Sequence, residues 1–361
     1  RIAALYQFKP LSDPEQVKEV LEIKTKEHGI LGMLMLATEG INGTIAGEET
    51  HLQTFLDFLV KDLGFDKLEL KLAHYEPKSF EEDRVNADSP FYRMRISIKK
   101  EIVTLGVPDV DMTLLEKNPD NKIQFVPANE WNNLLGKKNV IVMDTRNDYE
   151  YDVGSFDTAI NPNTKTFREF PQFINQLVEK QEIQTEGEEV EEKPDLAIFC
   201  TGGIRCEKAS VYLSQLPHFN RIYQLHGGIL KYLEEIPEEE SKWKGECFVF
   251  DQRVTVKHGL QPGSYELCRG CRHPLSANEM TEDSHYLEGI HCKYCYSDLT
   301  EKQIEGLKER QRQMLLAKER QTKHLGGEYT VPKKRDRRRG KDKGKDKGKE
   351  ALNNSDIEVK D

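Results

Sequence analysis

The sequence predicts an α/β domain at the centre of the chain, with an α+β domain before it and a small cysteine-rich module behind it. Three observations predict this. Continuous apolar runs at Val140-Ile141-Val142-Met143 and Leu196-Ala197-Ile198-Phe199 read as buried parallel strands with helical stretches between them. Ahead of them, strand-like and helix-like segments follow one another in the order β-α-β-β-α-β, the pattern of a ferredoxin-like sandwich. Behind them, four of the seven cysteines fall into two C-x-x-C pairs. The expected divisions are 1–106 for the α+β domain, 107–250 for the α/β domain, 251–328 for the cysteine-rich module with a helix, and 329–361 for a basic tail.

In the first domain, Ile2 to Phe8 reads as a strand. Asp13 is placed to cap a helix carrying Val17, Val20, Leu21 and Ile23. A second strand covers Gly32 to Ala37, and Asn42-Gly43 is a hairpin or bulge signal between short β-prone runs. Leu52, Phe55, Leu56 and Leu59 recur at helical spacing, and two further strands are expected near Leu68–Tyr75 and Tyr92–Ile98. In the second domain, Ile222 to Leu225 followed by Gly227-Gly228 is a third strand-to-turn signal. Gln181 to Pro194 holds six Glu and almost nothing apolar, and reads as an exposed acidic insertion. In the third part, Thr300 to His324 reads as a charged helix with a narrow apolar edge. The Gly-Lys-Asp-Lys repeats after Pro332 are low in complexity and expected to be disordered.

Composition narrows the function classes. A chain of 361 residues, 37% hydrophobic and 32% charged, suits two or three domains with some unpacked sequence. No apolar run is long enough to span a membrane, and no secretory signal is evident. The chain begins at Arg1 rather than Met, so its numbering is expected to start inside the natural protein. An odd number of cysteines, four of them paired as C-x-x-C, argues for thiol or metal chemistry in a reducing compartment, and the expected location is the cytoplasm. The net charge is −10, yet 333–349 carries eleven Lys/Arg against three Asp. An acidic body with a basic tail points to a tail that meets a polyanion.

The sharpest chemical signal is Cys200-Thr201-Gly202-Gly203-Ile204-Arg205. It follows a strand and precedes a helix, so several backbone N–H groups turn toward one point. A thiol at that point loses its proton readily, and the thiolate is the nucleophile. Thr201, Gly202, Gly203 and Ile204 form the loop, and Arg205 closes it with a fixed positive charge. Cys200 and Arg205 are therefore the candidate catalytic residues. The Arg follows the Cys by only five positions, a short loop better suited to a persulfide sulfur than to phosphate. Cys206, in the following helix, is either structural or a resolving thiol. Cys268, Cys271, Cys292 and Cys295 have the spacing of a closed four-thiolate site, which suits structural zinc. His273 and His291 beside them are the less favoured substitutes as ligands.

The loop, together with Asp144-Thr145-Arg146…Glu150…Gly154 and the turn Gln224-Leu225-His226-Gly227-Gly228, resembles the signature of rhodanese domains. In that family Cys200 would carry a persulfide, and Asp144 and Arg146 would anchor the fold. The resemblance extends further. Glu39 to Gly47, Lys99 to Gly106, Asn161 to Phe170 and Cys200 to Ala209 resemble the rhodanese-like tRNA uridine hydroxylases, called TrhO. The match runs from about Arg1 to Leu299, and neither the acidic insertion nor the basic tail belongs to it. The resemblance implies oxygen-dependent hydroxylation of the wobble uridine of tRNA to 5-hydroxyuridine, with oxygen as co-substrate. Spacing and composition do not themselves indicate this reaction; the chain shows no flavin motif and no haem signature. The same loop equally supports the alternative of a thiosulfate or persulfide sulfurtransferase. If tRNA is the substrate, phosphates need cations. The tail is one source. Tyr92, Arg93, Arg95, Lys99 and Lys100 mix aromatic and basic residues around one strand, a pattern compatible with single-stranded RNA contact and equally with an ordinary solvated sheet face. Arg168 and Lys165 would flank the pocket on the same resemblance.

Overall fold

The computed structural model describes residues 1–74, 90–108, 110–184, 193–251 and 253–320. Most of the acidic insertion, the end of the strand read toward Tyr75, and the whole basic tail lie outside the described residues.

The N-terminal part comprises β1 (Ile2–Phe8), α1 (Pro14–Glu27), β2 (Leu31–Ala37), β3 (Gly40–Ala46), α2 (Glu49–Lys61), β4 (Glu69–Ala73) and β5 (Met94–Ile98). Their sheet has the order β4-β1-β3-β2-β5. The first four strands are antiparallel, and β5 joins β2 in parallel. This is the expected ferredoxin-like arrangement with a fifth strand on one edge. Asp13 caps α1 by accepting the Gln16 N–H at 3.0 Å. The alternation of strand side chains divides the sheet into two faces. Leu5, Leu34, Ile41 and Ile45 pack with Leu52, Phe55 and Leu59 of α2 in one core. Their neighbours Tyr6, Met33, Met35 and Asn42 emerge on the opposite face, toward the central domain.

The structure corrects one local reading. Asn42-Gly43 is not a turn but lies inside β3, and the chain reverses at Thr38-Glu39. Asn42 uses its side chain elsewhere, donating Nδ2–H to the Ile102 carbonyl at 2.9 Å. Gly43 is small because a Cβ there would meet the Met33 carbonyl oxygen at 2.0 Å.

The central part contains α3 (Thr113–Lys117), β6 (Ile123–Val126), α4 (Ala128–Trp131), β7 (Val140–Asp144), α5 (Asp148–Val153), β8 (Gly154–Phe156), α6 (Phe170–Gln184), β9 (Asp195–Phe199), α7 (Ile204–Ser214), β10 (Ile222–Leu225) and α8 (Gly228–Glu235). Strands β6-β10-β9-β7 form a wholly parallel sheet. Both faces are buried, which explains the uninterrupted apolar runs in the sequence. Ala197 and Phe199 enter one core with Trp131, Phe156 and Tyr232. Leu196 and Ile198 enter the other with Phe170, Ile174 and Leu213.

Short strands β11 (Trp243–Gly245), β12 (Cys247–Phe248) and β13 (Thr255–Val256) lead to the last described part. That part holds β14 (Glu266–Leu267), β15 (Pro274–Leu275), α9 (Ala277–Thr281) and α10 (Glu301–Glu319). Its small core is Leu275 with Cys268, Cys292 and Cys295. Among the described residues, no helix is long and apolar enough to cross a membrane.

Candidate active site

Strand β9 ends at Phe199 and α7 begins at Ile204, so Cys200 stands at the carboxyl end of a buried strand beneath a helix N-terminus. Its thiol is fully buried, and Sγ accepts the Gly203 N–H at 3.1 Å. Burial opposes charge there. A hydrogen bond from Cys206, the nearby Arg205 charge and the N–H groups of Cys206 and Gly203 outweigh it and pull the Cys200 thiol down to about 5. Cys206 moves the other way: burial and its bond to Cys200 push it well up, and its Sγ lies 3.6 Å from Thr145 Oγ1. The environment thus favours charge on Cys200 and keeps the proton on Cys206. Gly203 has φ +106, and a Cβ there would lie 2.8 Å from the Tyr6 hydroxyl, so both backbone and space require glycine. The carbonyls of Cys200 and Thr201 are tied by the N–H groups of Ile229 and Leu230 at 2.9 and 3.0 Å.

Arg205 does not point its fork at the sulfur. Nη1 and Nη2 donate to the two oxygens of Glu150 at 2.7 and 2.8 Å, and Nη2 also reaches Thr201 Oγ1 at 3.2 Å. Burial pushes against the Glu150 charge, yet Arg205 and Arg146 keep its carboxyl below the usual range. Glu150 therefore stays ionised and fixes Arg205, which shapes the loop while its charge still favours the thiolate. Asp144 and Arg146 form a second, fully buried ion pair at 2.6 Å, and Arg146 also donates to the Gly154 carbonyl. That pair lies behind the loop and holds β7 to β8.

The N-terminal sheet is fastened onto α7. Lys208 is only 1% exposed; its Nζ donates to Glu39 at 2.8 and 2.9 Å, to Glu101 at 2.7 Å and to the Val103 carbonyl. Glu39 also accepts the Ile102 N–H, and Glu101 accepts the Leu105 N–H. One residue nearer the loop, the Tyr6 hydroxyl donates to Glu207 at 2.8 Å. Sequence reasoning missed this set, because Tyr6 read only as a strand residue and Lys208 only as part of the helix that follows the loop.

Between the sheet and the loop lies a cavity of about 640 Å³. Cys200, Thr201, Gly202 and Arg205 form one wall, and Tyr6, Met33, Met35 and Asn42 the other. Of the cations expected to meet RNA, Lys99, Lys100 and Arg168 line this cavity. Arg93, Arg95 and Lys165 do not; with Tyr92 they line an adjoining groove, where Lys165 is paired with Asp148.

The four paired cysteines come together as the spacing predicted. Their sulfurs all lie within 4.8 Å of one another, with Sγ–Sγ separations of 3.9, 3.7 and 4.0 Å for Cys268–Cys295, Cys271–Cys292 and Cys292–Cys295. A tetrahedron of thiolates about 2.3 Å from a central ion has edges of roughly 3.8 Å, so the set fits a four-coordinate metal. His273 stacks on Tyr294, and His291 Nδ1 bonds the His285 carbonyl; neither joins the cluster.

Residues 1–102 match the family model described as a UPF0176 acylphosphatase like domain, and residues 127–235 match the rhodanese-like domain. The chain is 44% identical to the tRNA uridine(34) hydroxylase of Acaryochloris marina, over 91% of this chain and 96% of that one. It is 43% identical to the protein of the same name in Teredinibacter turnerae, over 92% and 95%. The Agrobacterium fabrum protein, again so named, is 42% identical over 90% and 94%.

Proposed function

Because the chain belongs to the tRNA uridine(34) hydroxylase family, we propose that it hydroxylates the wobble uridine of tRNA at the Cys200 loop. The observation that carries the assignment of the site is the cavity itself. It sets the Cys200 thiol at one wall, an apolar sheet face at the other and several cations along its lining, Lys99, Lys100 and Arg168 among them, in a volume suited to one nucleotide. The target uridine leaves the anticodon stack to enter it.

The chemistry that follows uses a nucleophile held ionised at neutral pH. The Cys200 sulfur adds to uracil C6, and the C5–C6 π pair moves onto C5 and the adjoining carbonyl. C5 is then electron-rich and becomes the carbon that is oxidised. Over the whole reaction, uridine, dioxygen and two thiols of an external reductant give 5-hydroxyuridine, water and a disulfide, which balances atoms and electrons. Gly203 N–H and the Cys206 thiol receive the sulfur's charge when it is released, and Arg205, locked by Glu150, keeps the loop in one shape. The cluster of Cys268, Cys271, Cys292 and Cys295 would hold zinc. Four thiolates leave no open coordination position, so its part is to stabilise a module with little core of its own.

Incubation with unmodified tRNA in air and under argon, followed by mass spectrometry of the digested nucleosides, tests the reading. The expected result is 5-hydroxyuridine in air alone. No hydroxylated uridine under either gas would overturn it.

A further inference from the structure

We propose that the groove beside the Cys200 cavity binds the nucleotide next to the target uridine, and that the cysteine-rich module forms one of its walls. This rests on the tRNA reading above and adds a second subsite to it. The groove measures about 830 Å³ and is built by all three parts of the chain: Arg93 and Arg95 beside and on β5, Tyr149 in α5, and Arg272, His273 and Tyr294 at the cysteine knuckles. It is continuous with the cavity, because Met33, Phe91, Val249, Phe250 and Asp251 line both. A polymer that places one base against Cys200 must lead its next residue along that shared wall.

The wall carries a ladder of rings. Phe250 lies 5.2 Å from Phe248, Phe248 5.3 Å from Tyr149, Tyr149 6.3 Å from His273, and His273 is stacked on Tyr294 at 3.6 Å. Its two ends are open: Phe250 is 54% and Tyr294 41% exposed. Exposed aromatic rings beside cations are the chemistry of single-stranded RNA contact. Arg93, Arg95 and Arg272 are exposed and make no ion pair with a described residue; of the acids lining the groove, Asp148 is paired with Lys165 and Asp251 with Arg253, which leaves Asp152 against the three arginines. The groove has a reason to exist, since flipping one base out leaves its neighbour without a stacking partner. The open rings replace that partner, and the arginines meet the adjoining phosphates.

The test measures binding of an anticodon stem-loop RNA to the full chain under argon, across a range of salt, alongside RNAs abasic on the 5′ or the 3′ side of the target uridine. One abasic RNA is expected to bind roughly tenfold more weakly. Tyr294→Ala should weaken the intact RNA by a similar factor but add little on that abasic RNA. Arg93→Gln, in the other domain, should reduce the slope of log affinity against log salt by about 0.7. Zinc content and thermal unfolding establish that the variants fold. Wild-type affinity and salt slope in both variants, or penalties that simply add on the abasic RNA, would overturn the subsite. A wild-type protein that binds with the expected pattern yet forms no hydroxylated uridine would instead overturn the functional reading and leave the groove standing.

Discussion

Replacing Arg205 and Glu150 together, as Arg205→Met with Glu150→Gln, removes the buried ion pair without stranding either charge. A single replacement would leave one ion unpaired in the core, at a cost of about 3–5 kcal/mol. The thiol of Cys200 is held at about 5 against burial, by the Cys206 hydrogen bond, the Arg205 charge and two backbone N–H groups. A nearby opposite charge moves a titrating group by about 1–3 pH units, so the double variant should titrate at roughly 6–8. At pH 7 the thiolate fraction then falls from about 99% to somewhere between roughly 90% and 10%. The sign for stability follows. The folded chain prefers the thiolate, so this contribution is full above the unfolded thiol's value of about 8.5 and is lost as pH falls through 5. The assay is the pH dependence of iodoacetamide alkylation, read at the Cys200 peptide by mass spectrometry and normalised to its plateau. A wild-type midpoint near that of an ordinary thiol, or the same midpoint in both proteins, would refute the reasoning.

Three further outcomes are expected. Lys208→Met strands Glu39 and Glu101 against α7; because both carboxylates keep some solvent contact, the loss should fall near the lower end, about 3 kcal/mol, in denaturant unfolding. Glu207 is pushed up to about 7, chiefly by burial, so the folded chain keeps a proton that the unfolded chain releases near 4.5. Wild-type stability should therefore drop relative to Glu207→Gln as pH rises from 5 to 8, and parallel thermal melts at the two pH values will show it. Cys271→Ser should abolish zinc in elemental analysis and lower the thermal midpoint of the cysteine-rich module, whereas an unchanged metal content would remove that residue from the site.

The parts of this account that were legible in the sequence are the local ones. Cys200 to Arg205 could be read because strand, loop and helix are contiguous, and their backbone geometry follows from adjacent residues. The knuckle cysteines were equally plain, since spacing alone fixes which sulfurs can meet. The order of the first strands and helices gave the ferredoxin-like sheet, through the helical spacing of Leu52, Phe55, Leu56 and Leu59. What stayed hidden depends on contacts between distant segments. Asn42-Gly43 has turn composition, yet it serves a close approach to β2 and a bond to Ile102. Lys208 looks like a surface charge until Glu39 and Glu101 arrive from another domain. The ring ladder joins Phe250, Tyr149 and Tyr294, which no sequence period connects. Lys165 was expected to flank the pocket with Arg168, and Arg93 to share one RNA-contact strand with Lys99 and Lys100, but both Lys165 and Arg93 fall in the groove next to the cavity, a separation that only the folded walls define.

The most direct test of the central claim compares wild type with Cys200→Ser on unmodified tRNA in heavy-isotope oxygen gas, with isotope analysis of the digested nucleosides. The account predicts 5-hydroxyuridine carrying one heavy oxygen from the wild type and none from the variant. Labelled product from Cys200→Ser, or sulfur transfer in place of hydroxylation by the wild type, would contradict it.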